Sequence, residues 1–180
     1  MNIFLSQDTI ADSVKDLDDL RLQKQLVECY QLLTLAIKEQ QEGYEVKAGH
    51  YHHPVYLFYK DNIPFLCCYG LICCFEYSLR FNKKHKLFDY FYSQSSKFMK
   101  KLMSGSVRAY IAGYENPQFI PYYMEGSKGQ PNYIRTTDNV SALFQQKLIN
   151  KWNNDKTKGR PPRWTNRQVP EFYKKEMKSE

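Results

Sequence analysis

The chain is organised around Leu17–Glu28, LDDLRLQKQLVE. Wound as an α-helix at 100° per residue, this stretch sets Arg21, Lys24 and Glu28 within about a sixth of a turn of one another. Leu22, Leu26, Cys29, Tyr30, Leu33 and Ile37 fall on the opposite side. One side can then pack into a core while the other presents two cations and a carboxylate. The periodicity predicts a single helix from about Lys15 to Gln41, with Asp12, Ser13 or Asp16 as its cap. Asp16, Asp18 and Asp19 suit the positive end of its dipole. Taken alone, the charged face reads either as solvated surface or as a site.

Upstream, Met1–Leu5 (MNIFL) is apolar, and predicts a small strand or a segment laid on the core. Ser6–Asp12 reads as a turn. Downstream, residues 42–53 (EGYEVKAGHYHH) form a loop holding His50, His52 and His53. The three histidines lack the i,i+4 spacing of a helical ligand pair, so contacts to backbone or to a bound molecule are expected in place of a metal. Pro54–Lys60 predicts a short helix opened by Pro54. Asn62 and Pro64 mark the start of the next helix, about Ile63–Phe81, which is apolar nearly all round and should be central. Glu76 and Arg80 lie i,i+4 near its end, where an ion pair is expected. After a basic turn (NKKHK, 82–86), Leu87–Met103 reads as another helix. Residues 104–138 are rich in Gly, Pro and Tyr without a period. A segment of that length is expected to cover a site or hold short helices. Asp138 or Ser141 is the expected cap of a last long helix ending near Asn153.

The 180 residues suit one domain, 1–180, with a sizeable core. The predicted fold class is all-α: a single compact domain of four to five helices, a long irregular loop and a basic C-terminal segment. The five cysteines include the adjacent pairs Cys67–Cys68 and Cys73–Cys74 in an apolar run. That pattern suits core packing in a reducing compartment, and neither a disulfide framework nor a zinc site. The N-terminus lacks the basic and apolar regions of a signal peptide. No stretch reaches the roughly 18 apolar residues of a membrane span. The expectation is therefore a cytoplasmic protein with no membrane partner.

The net charge is +7, and residues 151–180 carry nine Lys/Arg against four Asp/Glu. A polyanionic partner follows as a candidate. Within this segment GRPPRWTNRQVPEFYKK (159–175) interleaves cations with Trp164, Phe172 and Tyr173. Cations can meet phosphates while planar rings stack on bases. Equally, the rings can anchor a basic tail to the core.

Several of these stretches occur in an order that resembles the pyrimidine-dimer DNA glycosylases, the phage endonuclease V family. Asp19-x-Arg21 followed by Glu28 is similar to the family's Asp-x-His and Glu. HPVYLFYKDNIPFL (53–66) resembles its Gly-His-Val stretch with the aromatics and Phe-Leu that follow. EYSLR (76–80) is similar to its Glu-x-x-x-Arg helix end, and RPPRW (160–164) to its Arg-Pro-x-Trp. The chain looks closer still to phage proteins of this wider group that begin Met-Asn-Ile-Phe and carry a His-Pro loop.

The resemblance implies an all-α domain that binds double-stranded DNA, flips a nucleotide, removes a damaged base and nicks the strand. It needs no cofactor and no metal. By the match, Met1 supplies the nucleophilic α-amine and Glu28 the acid/base carboxylate. Arg21, Lys24, His53, Arg160, Arg163 and Trp164 become the DNA-binding candidates. An α-amine titrates near 7.7–8.0, so a useful fraction is neutral at cell pH. A neighbouring carboxylate can stabilise a cationic sugar and move protons.

Three positions depart from the family pattern. Asn2 is bulky, so Met1 is expected to be retained; Arg21 replaces a His; Val27 stands where the repair enzymes carry an Arg. Two other readings follow from these departures. One is a non-catalytic phage module that binds DNA or a host replication or repair protein. The other is an enzyme that modifies the bases of phage DNA.

Overall fold

The computed structural model describes residues 3–41, 50–103, 123–125, 132–134 and 140–179. Its α-helices are α1 (Ile10–Asp16), α2 (Asp19–Glu39), α3 (Pro54–Tyr59), α4 (Ile63–Phe81), α5 (Phe88–Met103), α6 (Val140–Thr157) and α7 (Glu171–Ser179). A 3-10 turn, His50–His52, precedes α3. β1 (Tyr123–Glu125) and β2 (Asn132–Ile134) pair antiparallel, with Tyr123 opposite Ile134. This short ladder is the described part of the long segment expected to be irregular. The fold is all-α as expected, but with more helices than four or five. Of the expected caps, Asp138 lies outside the described residues, and Ser141 sits inside the first turn of α6. That helix also runs four residues past Asn153.

The expected Lys15–Gln41 helix is two helices. Leu17 and Asp18 adopt extended backbone (ψ 133° and 165°), and the true cap of α1 is Thr9, whose hydroxyl accepts from the Asp12 N–H at 3.1 Å. The break is stabilised from far along the chain. Arg80 of α4 donates to the carbonyls of Lys15 at 2.9 Å and Leu17 at 2.6 Å. Trp164 donates its indole N–H to the Asp16 carbonyl at 2.9 Å. The Asp19 N–H, first of α2, donates to the Arg163 carbonyl at 2.8 Å. Helix-end groups left open by the break thus find partners that no local pattern contains.

α4 packs against α1, α2 and α5. From α2, Leu22, Leu26, Cys29 and Leu33 are fully buried against it. Each such leucine contributes about 1.5–3 kcal/mol relative to exposure. Gly70 marks the α4–α5 crossing: a Cβ there would lie 2.1 Å from the Phe91 ring, so the helices approach as closely as a bare backbone allows. α4 is long and apolar enough to cross a membrane by length and composition, contrary to the reading above. In this fold most of it is packed inside the protein. Its burial is not uniform, however, since Phe75 and Leu79 are exposed. Cys29, Cys67, Cys73 and Cys74 fill the core, whereas Cys68 is exposed. All five are free thiols.

The Glu76–Arg80 pair is part of a buried network. Glu76 accepts from Arg80 at 2.7 Å and from Arg167 at 2.8 and 2.9 Å. Burial raises the Glu76 carboxyl pKa, and the two guanidiniums more than offset this, leaving it below its ordinary value. The Asp19 carboxylate accepts from the Thr165 hydroxyl at 2.7 Å. The C-terminal segment is therefore bound into the domain.

Candidate active site

Ile3, Phe4 and Leu5 are buried without regular secondary structure, as a segment laid on the core. Gln25 of α2 meets this segment. It is 1 % exposed, and its side-chain oxygen accepts from the Phe4 N–H at 3.1 Å and from the Tyr69 hydroxyl at 2.8 Å. Its side-chain nitrogen donates to the Glu28 carboxylate at 3.0 Å. The N-terminal run and Glu28 are thus joined by two hydrogen bonds across one amide. Met1 lies outside the described residues.

Glu28 is half-buried and Lys24, one turn earlier, is exposed. Arg21 departs from the expected solvated face. It is 7 % exposed and is ion-paired with Asp18 at 3.2 Å and with Asp155 of α6. Its guanidinium orders the site from within the protein and is not displayed as a free cation. The bonded Arg21 holds the Asp155 carboxyl below its ordinary value. Arg160 is exposed and reaches the same carboxylate at 3.1 Å. Asp18 also accepts the indole N–H of Trp152 at 2.9 Å, which locks α6 across the start of α2.

The structure thus gathers Glu28, Lys24, Arg21 and Arg160 around the α2–α6 contact. His53 is elsewhere: its Nδ1 accepts from the Val55 N–H at 3.2 Å and caps α3. Glu39 fastens that helix, accepting from Lys60 at 3.0 Å and from the Tyr56 hydroxyl. Glu39 lies about 16 Å along α2 beyond Glu28. Trp164 belongs to an aromatic cluster, 5.0 Å from the Trp152 ring and 5.8 Å from Tyr173. Its N–H is committed to Asp16, so the anchoring reading of the C-terminal rings is the one the structure displays. Trp164 and Arg163 nonetheless line one groove of about 460 Å³, with Lys156 and Arg167 also at its wall.

A family model described as pyrimidine dimer DNA glycosylase matches residues 1–89. Over those residues, just under half of its length, the chain is similar to the pyrimidine dimer DNA glycosylase family. The match spans α1 to α4 and the first residues of α5, and so contains Gln25, Glu28 and the segment that Gln25 binds. DNA repair glycosylases are the activity class of this family, and DNA is the substrate it implies. No curated protein and no solved structure matches the chain. α6, which carries Asp155, and Arg160 beyond it lie outside the glycosylase match. The role of Asp155 was not visible in the sequence, because its partner Arg21 is 134 residues away. Gln25 carries one local signal in the sequence, its i,i+3 spacing to Glu28.

Proposed function

We propose that this chain excises a damaged or modified pyrimidine from double-stranded DNA and nicks the strand through an imine on the sugar. The carrying observation is Gln25, which joins the N-terminal segment to Glu28 inside the stretch matched by the family model. In this reading the neutral Met1 amine bonds to C1′ of a flipped nucleotide, and the glycosidic electron pair leaves with the base. Glu28 protonates the sugar ring oxygen as the ring opens to an iminium. Removal of a C2′ proton then expels the 3′ phosphate. Flipping exposes C1′, which a stacked duplex hides. Lys24 and Arg160 flank Glu28 as phosphate contacts, with Arg163 and Trp164 on the neighbouring groove.

Single-turnover release of free base, measured by chromatography on duplexes carrying a thymine dimer or modified pyrimidines, tests the reading. Glu28→Gln should slow release by at least about 100-fold while leaving DNA affinity intact. Equal rates for the variant and the parent would remove Glu28 from the chemistry. A new modified nucleoside in place of free base would identify a base-modifying enzyme. Val27, exposed where the repair enzymes carry Arg, is the feature that favours a DNA-binding module without catalysis.

A further inference from the structure

We propose that Lys151 of α6 is a second amine of the Glu28 site and forms the imine with the abasic sugar, so that strand nicking does not depend on the Met1 amine. This rests on the glycosylase reading above and assigns a residue outside the family match.

The register of α6 on α2 carries the argument. Asp155 binds Arg21, and Trp152 binds Asp18. Lys151 is one helical turn before Asp155 and so lies on the same face of α6. Farther along that helix Phe144 packs on Phe4 at 5.9 Å, the residue tied through Gln25 to Glu28. Lys151 therefore sits between the Arg21 contact and the N-terminal segment. The charged groups that act on it are Arg21, Lys24 and Glu28 from α2 and Asp155 from its own helix.

Its surroundings suit an amine nucleophile. Lys151 makes no hydrogen bond or ion pair with a described residue, although two carboxylates act on it. Arg21 is itself paired with Asp155, one of these two. Partial desolvation, with Arg21 and Lys24 adding to it, lowers the Lys151 pKa against the opposing pull of Glu28 and Asp155. A lysine flanked by cations is the arrangement that frees an amine at neutral pH. The side chain is exposed, so a nucleic acid sugar can reach it.

At an abasic site whose base is already gone, the ring-opened sugar presents an aldehyde at C1′. The neutral Nζ adds to that carbon, and the carbonyl oxygen takes up a proton and leaves as water with a second proton from nitrogen, giving the imine. Loss of a C2′ proton forms the C2′–C3′ double bond as the C3′–O bond breaks and the 3′ phosphate departs. Glu28 is the carboxylate placed to carry these protons.

The test is borohydride trapping on a duplex with one abasic site, followed by peptide mapping of the adduct. The parent, an N-terminally acetylated form, Lys151→Gln and Lys151→Arg are compared, with Lys97→Gln as a surface control and circular dichroism melts to verify folding. Arginine keeps the positive charge for phosphate but cannot supply a neutral amine. Expected are an adduct on the Lys151 peptide, trapping that survives acetylation, and loss of trapping in both Lys151 variants. An adduct on the N-terminal peptide alone, or parental trapping by Lys151→Arg, overturns the proposal and leaves the Met1 reading standing. Absence of any adduct with the parent overturns both.

Discussion

Gln25 donates to the Glu28 carboxylate at 3.0 Å while being fixed itself by Phe4 and Tyr69. A residue of the core thus sets the position of the carboxylate on which the chemistry is proposed to depend, and ties it to the start of the chain. Gln25→Met should separate positioning from catalysis. It leaves the Phe4 N–H buried without its acceptor, which costs about 1–3 kcal/mol in urea denaturation. It should also slow base release, whereas Glu28→Gln should slow release far more with little change in stability. Equal activity of Gln25→Met and the parent would show that the bridge has no part in function.

Arg21 and Asp155 close the α2–α6 contact. Arg21→Met removes the cation shared by the buried Asp18 and Asp155, leaving them Trp152 and Arg160 as partners, and should lower stability by about 3 kcal/mol. A double-mutant cycle with Asp155→Asn should give coupling of at least about 0.5 kcal/mol, because each variant removes the same ion pair. Additive losses would mean that the two side chains do not interact in solution.

The same pair predicts an acid limb. The Asp155 carboxyl titrates below its ordinary value in the folded protein, so the charged form is the one folding favours. Its contribution is complete above the ordinary carboxylate range and is lost as pH falls below about 4, through the depressed folded value. Glu76, also depressed, adds in the same direction. Thermal midpoints measured between pH 7 and 3 should fall in the acid range for the parent and fall less for Asp155→Asn. Identical pH profiles would contradict the assignment.

Gly70→Ala should destabilise the α4–α5 crossing by about 1–3 kcal/mol, since the new methyl meets the buried Phe91 ring. Combining it with Phe91→Leu should recover part of the loss. Recovery would locate the cost in that contact, and a simple sum of two losses would locate it elsewhere.

Periodicity made α2, α3 and α4 legible, because each has an apolar face or a proline at its start that local sequence displays. The break at Leu17–Asp18 was not legible. It depends on Arg80, Arg163 and Trp164, which come from 63 or more residues away to satisfy the backbone there. For the same reason Arg21 read as an exposed cation: nothing near it announces Asp155. Glu28 was legible from order and spacing with Asp19 and Arg21, whereas Gln25 and Lys151 acquire meaning only when Phe4 and α6 are folded against α2. The cap that His53 forms on α3 likewise emerges only from the fold.

The most direct test of the account is covalent capture. Wild-type protein incubated with borohydride and duplexes carrying an abasic site or a thymine dimer should yield a protein–DNA adduct. Its mass should correspond to a reduced imine, and Glu28→Gln should yield markedly less of it on the dimer substrate. Duplex binding with no adduct on either substrate would contradict amine catalysis at this site and leave a DNA-binding protein on a glycosylase fold.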